Sequence, residues 1–409
     1  MKSRQLTILL TFLLALLPTR ASAQWWLFPG GKHKSDTTSV TVPDTGITKA
    51  DTIVFEGTGE FQDSLELASI VEGLPRHEVK LSLILPFNSG EKVNGNFLDF
   101  YTGVLMAAQD LSALGYVVDI DVIDSTQPGL EEKMKSLSER DLVIGPVGTE
   151  DLNRCVTAAP DTWFISPLEP KAEDFARWCK VIQTPTPAGR LIEDLTAWIS
   201  EDYTKGDRIV LLQNDQERES EATSRMIDQM NAAGLKYEIA PTASSVTCPT
   251  GHTVRFVLTS DNGDYTGNQA REIALMSIQG DKVMLYGTSR IRTASNMDRE
   301  SLNLCCTHMT INYFIDMMDG ETILFSENYR ELFHSAPGSF ACQGYDVAKY
   351  FISMFDRFGP EWSSRLSEAE WEGIQTDFKF SSPEGDKGWT NTATRRILYK
   401  PDNTITLLK

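Results

Sequence analysis

The sequence predicts an α/β protein of two lobes, each a parallel, Rossmann-like sheet covered by helices, with a central cleft between them. Two observations predict it. From Val79 onward, short apolar runs of strand length alternate with longer segments of helical period. Such alternation builds parallel sheets with helices on both faces. The alternation then starts afresh after the Pro-rich stretch at 184–187, and two successive α/β units joined by a crossing segment imply two similar lobes.

The elements follow in order. VKLSLILPF (79–87) is a buried strand ending at Pro86. A helix over about 96–114 sets Phe97, Phe100, Val104, Ala107, Ala108 and Leu111 on one face, and Gly115 ends it. VVDIDVID (117–124) is a strand, GLEEKMKSL a short helix, DLVIGP (141–146) a strand, DLNRCVTAA a helix and TWFISP (162–167) a strand. In the second unit VIQ (181–183) leads through the crossing into a helix reaching Asp202. DRIVLLQ (207–213) is a strand, 216–233 a polar helix stopped by Gly234, and LKYEIAP, TVRFVLTS and DKVMLYGTS three more strands. MTINYFID (309–316) reads as a second crossing, ILFSENYRELFH as a helix and 341–359 as a strong amphipathic helix. Pro401-Asp402-Asn403 is a turn, so WTNTATRRILYK and NTITLLK are expected to form a terminal hairpin.

The N-terminus is organised differently. Lys2 and Arg4, the apolar run Leu6–Leu17 and the Ala21-Ser22-Ala23 site make residues 1–23 a secretory signal peptide. No cysteine follows the cleavage site, so the expected location is the periplasm, without a lipid anchor. Residues 24–78 are polar and Thr-rich apart from the aromatic QWWLFPGG, which predicts a disordered tether. The remainder divides into lobe 1 (79–184 with 310–365) and lobe 2 (185–309 with 366–409).

A formal net charge of -19 argues against nucleic acid as a partner. The five histidines are scattered without ligand spacing, and no nucleophile elbow, Walker loop or dinucleotide fingerprint occurs. No catalytic residue, metal or cofactor is therefore expected. Export permits disulfides among the six cysteines, with Cys155 and Cys179 as one pairing.

The order of VKLSLILPFNSG, FLDFYTGVLMAAQDLSALGYVVDIDVIDS, DLVIGPVGTEDL, FISPLEP, FACQGYDVAKYF and GDKGWTNTATRRILYKPDNTITLL, spanning about 79–409, resembles type I periplasmic binding proteins of the leucine-binding-protein-like group. It is similar in particular to the Bacteroidetes envelope variants, some of which carry LysM modules; none is visible here. The resemblance implies three crossings and a ligand held at strand ends facing the cleft. It places Thr149, with a hydroxyl and a helix-start N–H, at a ligand carboxylate. At the next strand end Ser166, Leu168 and Glu169 stand where the family has Ser-Pro-x-Ala-Thr, so the usual amino-acid head-group contacts are altered. Arg218 and Glu219 replace a family Tyr-Gly, and Asp261 or Asp264 is the candidate for a ligand ammonium. Asn88, Asn214, Tyr265 and Thr288, at strand ends or beside them, complete the candidate ligand-binding set.

Two functions follow. One is a non-catalytic receptor closing over an amino acid, peptide or cell-wall fragment. The other is a ligand-less envelope scaffold or regulator that binds a protein partner. A cleft lined by convergent polar groups favours the first, and one plugged by Glu169, Lys171 and Arg218 favours the second.

Overall fold

The computed structural model describes residues 77–89, 92–214, 220–383 and 385–408. The signal peptide, the tether up to residue 76, and Arg218 and Glu219 lie outside them.

Strand β1 (His77–Leu85) begins two residues earlier than its apolar run, and its Leu81, Leu83, Ile84 and Leu85 have no exposed surface. A short ribbon, β2 (Asn88–Ser89) with β3 (Lys92–Val93), leads into helix α1 (Gly95–Ser112). The Asn94 side chain caps α1 by accepting the Asn96 N–H at 3.1 Å. β4 (Tyr116–Asp124), α2 (Leu130–Met134), β5 (Leu142–Ile144), α3 (Thr149–Ala158), β6 (Phe164–Ser166), α4 (Glu173–Ala176) and β7 (Val181–Gln183) follow. The second unit runs α5 (Ala188–Asp202), β8 (Arg208–Leu212), α6 (Glu221–Ala232), β9 (Glu238–Ala240), β10 (Val254–Leu258), α7 (Gly263–Ile278), β11 (Val283–Thr288), α8 (Arg299–Leu304) and β12 (His308–Ile311). The last elements are α9 (Gly320–Phe333), α10 (Ser339–Phe358), β13 (Phe380–Ser381), β14 (Trp389–Asn391), β15 (Arg395–Tyr399) and β16 (Ile405–Leu408).

The strands form two seven-stranded sheets, ordered β13-β14-β7-β6-β5-β1-β4 and β16-β15-β12-β11-β10-β8-β9. Pairings are parallel from β4 through β14 in the first sheet and from β9 through β12 in the second. Each lobe packs its own apolar clusters. In the first, α1 crosses α10 closely because Gly103 and Gly344 leave room: a Cβ on Gly103 would lie 1.9 Å from the Ala341 carbonyl oxygen.

Two boundaries differ from the sequence expectation. Met309–Ile311 belong to β12 in the second sheet, so the chain crosses only after Ile311. The segment 366–409 does not lie wholly in the second lobe. β14 pairs in parallel with β7, Trp389 opposite Ile182, so the third crossing falls at 392–394. The terminal hairpin is β15 with β16 alone. The turn at 401–403 was legible, but a pairing two hundred residues distant leaves no local mark. All six cysteines are free, Cys155 and Cys179 packing instead against one apolar cluster of the first lobe. Burial pushes the Cys155 thiol up to about 12.

The crossings brace one another. The Thr186 hydroxyl donates to the Ala393 carbonyl at 2.5 Å, and Asn312 Nδ2 donates to the Thr186 carbonyl at 3.1 Å. Asn391 Nδ2 donates to the Thr184 carbonyl at 2.9 Å, and Arg395 Nη1 to the Phe314 carbonyl at 2.5 Å.

A second polar cluster lies between α5 and the second sheet. His308 stacks on Tyr286, with ring centroids 4.5 Å apart, and edges Trp198 at 4.7 Å. Its Nδ1 meets the Cys306 carbonyl at 2.7 Å and its Nε2 lies 3.4 Å from the Asp202 carboxylate. Burial holds its pKa below the ordinary value of 6.5; the Cys306 carbonyl and Asp202 pull it up, and Arg255 pushes it down. The folded state therefore binds this proton less readily than the unfolded chain. Its contribution to stability is present above pH ~6.5 and is lost as the pH falls below it. His308→Gln is expected to lose less stability than the wild type between pH 7 and pH 5, read by urea unfolding at both. An equal loss would remove His308 as the source.

Candidate functional site

A cavity of about 460 Å³ opens at the C-terminal edge of the second sheet. Leu212, Gln213 and Asn214 come from the end of β8, and Ser260, Asp261 and Asn262 from the segment after β10. Ser220, Glu221, Thr223 and Ser224 come from the start of α6.

Local hydrogen bonds set these side chains. Ser220 caps α6, its Oγ accepting the Thr223 N–H at 3.1 Å. That hydroxyl donates to the Thr259 carbonyl at 3.1 Å and contacts Thr223 Oγ1 at 2.9 Å. Thr223 Oγ1 in turn meets Thr259 Oγ1 at 2.9 Å. Asn262 caps α7 by accepting the Tyr265 N–H at 2.9 Å, and its own N–H donates to Ser260 Oγ at 3.1 Å. Arg290 forms an ion pair with Asp261. The two helix starts thus converge on one cavity, with one N–H of each, that of Thr223 and that of Tyr265, engaged by its cap. What they present is hydroxyls, amides and two carboxylates, a set that suits hydroxyl- and amine-bearing molecules better than anions. Among the described residues no group of three His, Cys, Asp or Glu is placed to hold a metal ion.

Of the residues singled out from sequence, Asn214 and Asp261 line this cavity, Asp261 already paired with Arg290. Asp264 lies on α7 but accepts from Ser295 Oγ at 2.7 Å and Asn296 Nδ2 at 2.8 Å, tying down the loop after β11. Tyr265 donates its hydroxyl to the Pro241 carbonyl at 2.9 Å and packs on the second-lobe core. Thr288 is buried at the end of β11.

The first-lobe residues sit apart from this cavity. Asn88 Nδ2 donates to the Asp124 carboxylate at 2.6 Å. Thr149 is the first residue of α3, after Gly148, and its side chain makes no capping bond. Ser166 is fully buried, its hydroxyl without a partner among the described residues. The loop after it is held from inside the lobe. The Pro167 carbonyl accepts from Thr184 Oγ1 at 3.0 Å and Gln343 Nε2 at 3.4 Å, and the Pro170 carbonyl from Gln183 Nε2 at 3.0 Å. Leu168 is half-buried there. Glu169 accepts the backbone N–H of Lys171 at 2.9 Å, so it closes its own turn.

Sequence reasoning passed over Ser220, Thr223 and Ser260. Reading 216–233 as one helix hides Ser220 inside it, although Ser220-x-x-Thr223 carries an N-cap signature. Likewise SDNGDYTG (260–267) reads as a loop, whereas the structure starts α7 at Gly263.

No protein-family profile and no curated protein sequence matches the chain. Solved structures do. A putative branched-chain amino acid ABC transporter protein from Rhodospirillum rubrum superposes with a TM-score of 0.60 at 13% identity, over 81% of this chain and 100% of that one. A branched-chain amino acid ABC transporter periplasmic ligand-binding protein from Burkholderia xenovorans gives 0.54 at 12%, over 81% and 94%. Full-length LpoA from Haemophilus influenzae gives 0.51 at 12%, over 82% of this chain and 60% of that one. The chain has the two-lobed fold of type I periplasmic binding proteins. At these identities the likeness is one of fold, a fold that also serves proteins of other function.

Proposed function

We propose that the chain is an extracytoplasmic, non-catalytic binding protein that holds a small hydroxyl- or amine-bearing molecule at the C-terminal edge of its second sheet. The observation that carries this is the cavity between the starts of α6 and α7, at the strand ends where open parallel sheets hold ligands. Export rests on the signal peptide of residues 1–23, and no helix of the described residues is long and apolar enough to cross a membrane.

The test is thermal unfolding of the mature protein with amino acids, short peptides, sugars, nucleosides and peptidoglycan fragments. A ligand present at 100 times its dissociation constant is expected to add about 2.7 kcal/mol. Ser260→Ala with Asn214→Ala should abolish the shift. No stabilisation by any compound, or a shift indifferent to both substitutions, would overturn this reading.

The mutual bracing of the crossings favours a second reading, a scaffold or regulator whose lobes keep one angle. The C-domain of LpoA from Haemophilus influenzae is described as a regulator of PBP1A. Small-angle scattering that is unchanged by every stabilising ligand would support this reading, and compaction on binding would sink it.

A further inference from the structure

We propose a second binding site, for an alkylammonium group, in the groove beside the third crossing. This site is independent of the second-lobe cavity and shares no residue with it. The groove has a volume of about 390 Å³, and Trp371, Glu370, Glu372, Asp377, Lys379 and Thr392 are among its lining residues.

Its floor is a prepared aromatic surface. Trp371 and Phe378 face each other across an isolated antiparallel bridge, exchanging backbone hydrogen bonds of 2.9 and 2.8 Å. Their rings are parallel within 6°, with centroids 5.8 Å apart. Phe378 stacks in turn on Phe380, 12° from parallel. Trp371 is thus the outermost ring of a fixed stack, half-buried and lining the groove. The turn joining the two ringed residues is anchored by the buried Asp346 carboxylate, which accepts the N–H groups of Ile374, Gln375 and Thr376. A ligand would therefore order little on arrival.

The charges select the ligand. The lining holds three carboxylates against one ammonium. Arg395 satisfies Asp377 at 2.5 Å from beneath. Lys379 reaches Glu370 at 2.7 Å, and both side chains are more than half exposed, so the pair is weak and exchangeable. An indole ring bordered by carboxylates attracts a cation, and Glu370 already pairs with an alkylammonium, that of Lys379. The carboxylates that border the groove disfavour anions.

The probe is Nα-acetyl-lysine methylamide, with the norleucine analogue as its uncharged counterpart, titrated by calorimetry into the full mature chain at low salt. Saturable binding of the lysine probe is expected, about tenfold or more tighter than that of norleucine. Trp371→Ala and Glu370→Gln should each weaken it severalfold, with folding verified by circular dichroism. Lys379→Met should tighten it, because it removes the competing ammonium; this variant leaves the ring stack intact and does not depend on Trp371→Ala remaining folded. Absence of binding, equal binding of norleucine, or weaker binding in Lys379→Met would overturn the proposal. Preference for a neutral disaccharide would also overturn it, in favour of a glycan site.

Discussion

Replacing Asp346 with asparagine is expected to cost about 3 kcal/mol or more of unfolding free energy. Asp346 sits on α10 with no exposed surface. Its Oδ1 accepts the Ile374 N–H at 2.9 Å, and its Oδ2 accepts those of Gln375 and Thr376 at 2.8 and 2.9 Å. Burial pushes the carboxyl up to about 7, against the downward pull of those three N–H groups and of Arg395. An asparagine keeps one acceptor oxygen and turns an amide N–H₂ toward backbone donors, leaving at least one buried N–H unpaired. The damage extends beyond the pocket of Asp346, because the same turn gives the Ile374 and Gly373 carbonyls to Arg395, and Arg395 holds the Phe314 carbonyl of the second crossing. Arg395→Met should accordingly be destabilising too. The combined variant should cost less than the sum of the two, since both release the same turn. Urea unfolding of the four proteins measures this. A loss under about 1 kcal/mol in Asp346→Asn would show that the turn is held by its other contacts.

The elements legible in the sequence were those whose information is local. β1 announces itself as an unbroken apolar run because it is buried between two strand neighbours. α10 shows an amphipathic stripe in its second half, where Ser353 and Arg357 meet solvent; its first half, 341–348, is buried all round, packed on α1 and on the turn at 374–376. Thr149, Ser166 and Asn214 were placed at strand or helix ends correctly, since a strand end can be read from where its apolar run stops. Which end opens onto a cavity was not legible. Ser166 is turned into the lobe because its strand is buried on both faces, and Asn214 borders a cavity because the starts of α6 and α7 meet beside it. That meeting depends on β8 and β10 pairing directly, Leu212 opposite Leu258, while β9, which lies between them in sequence, is sent to the sheet edge. The start of α7, within SDNGDYTG (260–267), reads as a loop for a related reason: glycines lower helix propensity, yet a Cβ on Gly267 would approach Asn296 to 3.0–3.1 Å. Tertiary packing sets that residue, and propensity alone points the wrong way.

Arg255→Met is expected to cost about 3–5 kcal/mol, because it leaves a buried carboxylate without its cation. The Arg255 and Asp207 side chains are 6% and 5% exposed and pair at 2.8 Å. The guanidinium also donates to the Tyr286 hydroxyl at 2.8 Å and to the Asp202 carbonyl. Burial raises the Asp207 carboxyl, and the N–H groups of Thr253 and Thr204 with Arg255 more than reverse this, leaving it below its ordinary value. Adding Asp207→Leu to Arg255→Met should recover only part of the loss. It removes the stranded charge but also the acceptor for the Thr253 and Thr204 N–H groups, now 2.9 and 3.2 Å from the carboxylate. Full recovery would mean that those N–H groups find water, and a loss below about 1 kcal/mol in the single variant would mean that Asp207 takes a proton instead. Arg255 is the second residue of β10, whereas Ser260 lies two residues past its end. At about 3.3 Å per residue they are roughly 16 Å apart. The folded variant should therefore bind any ligand of the second-lobe cavity as the wild type does. A parallel loss of ligand affinity would show instead that the cluster beneath α5 sets the shape of the cavity edge.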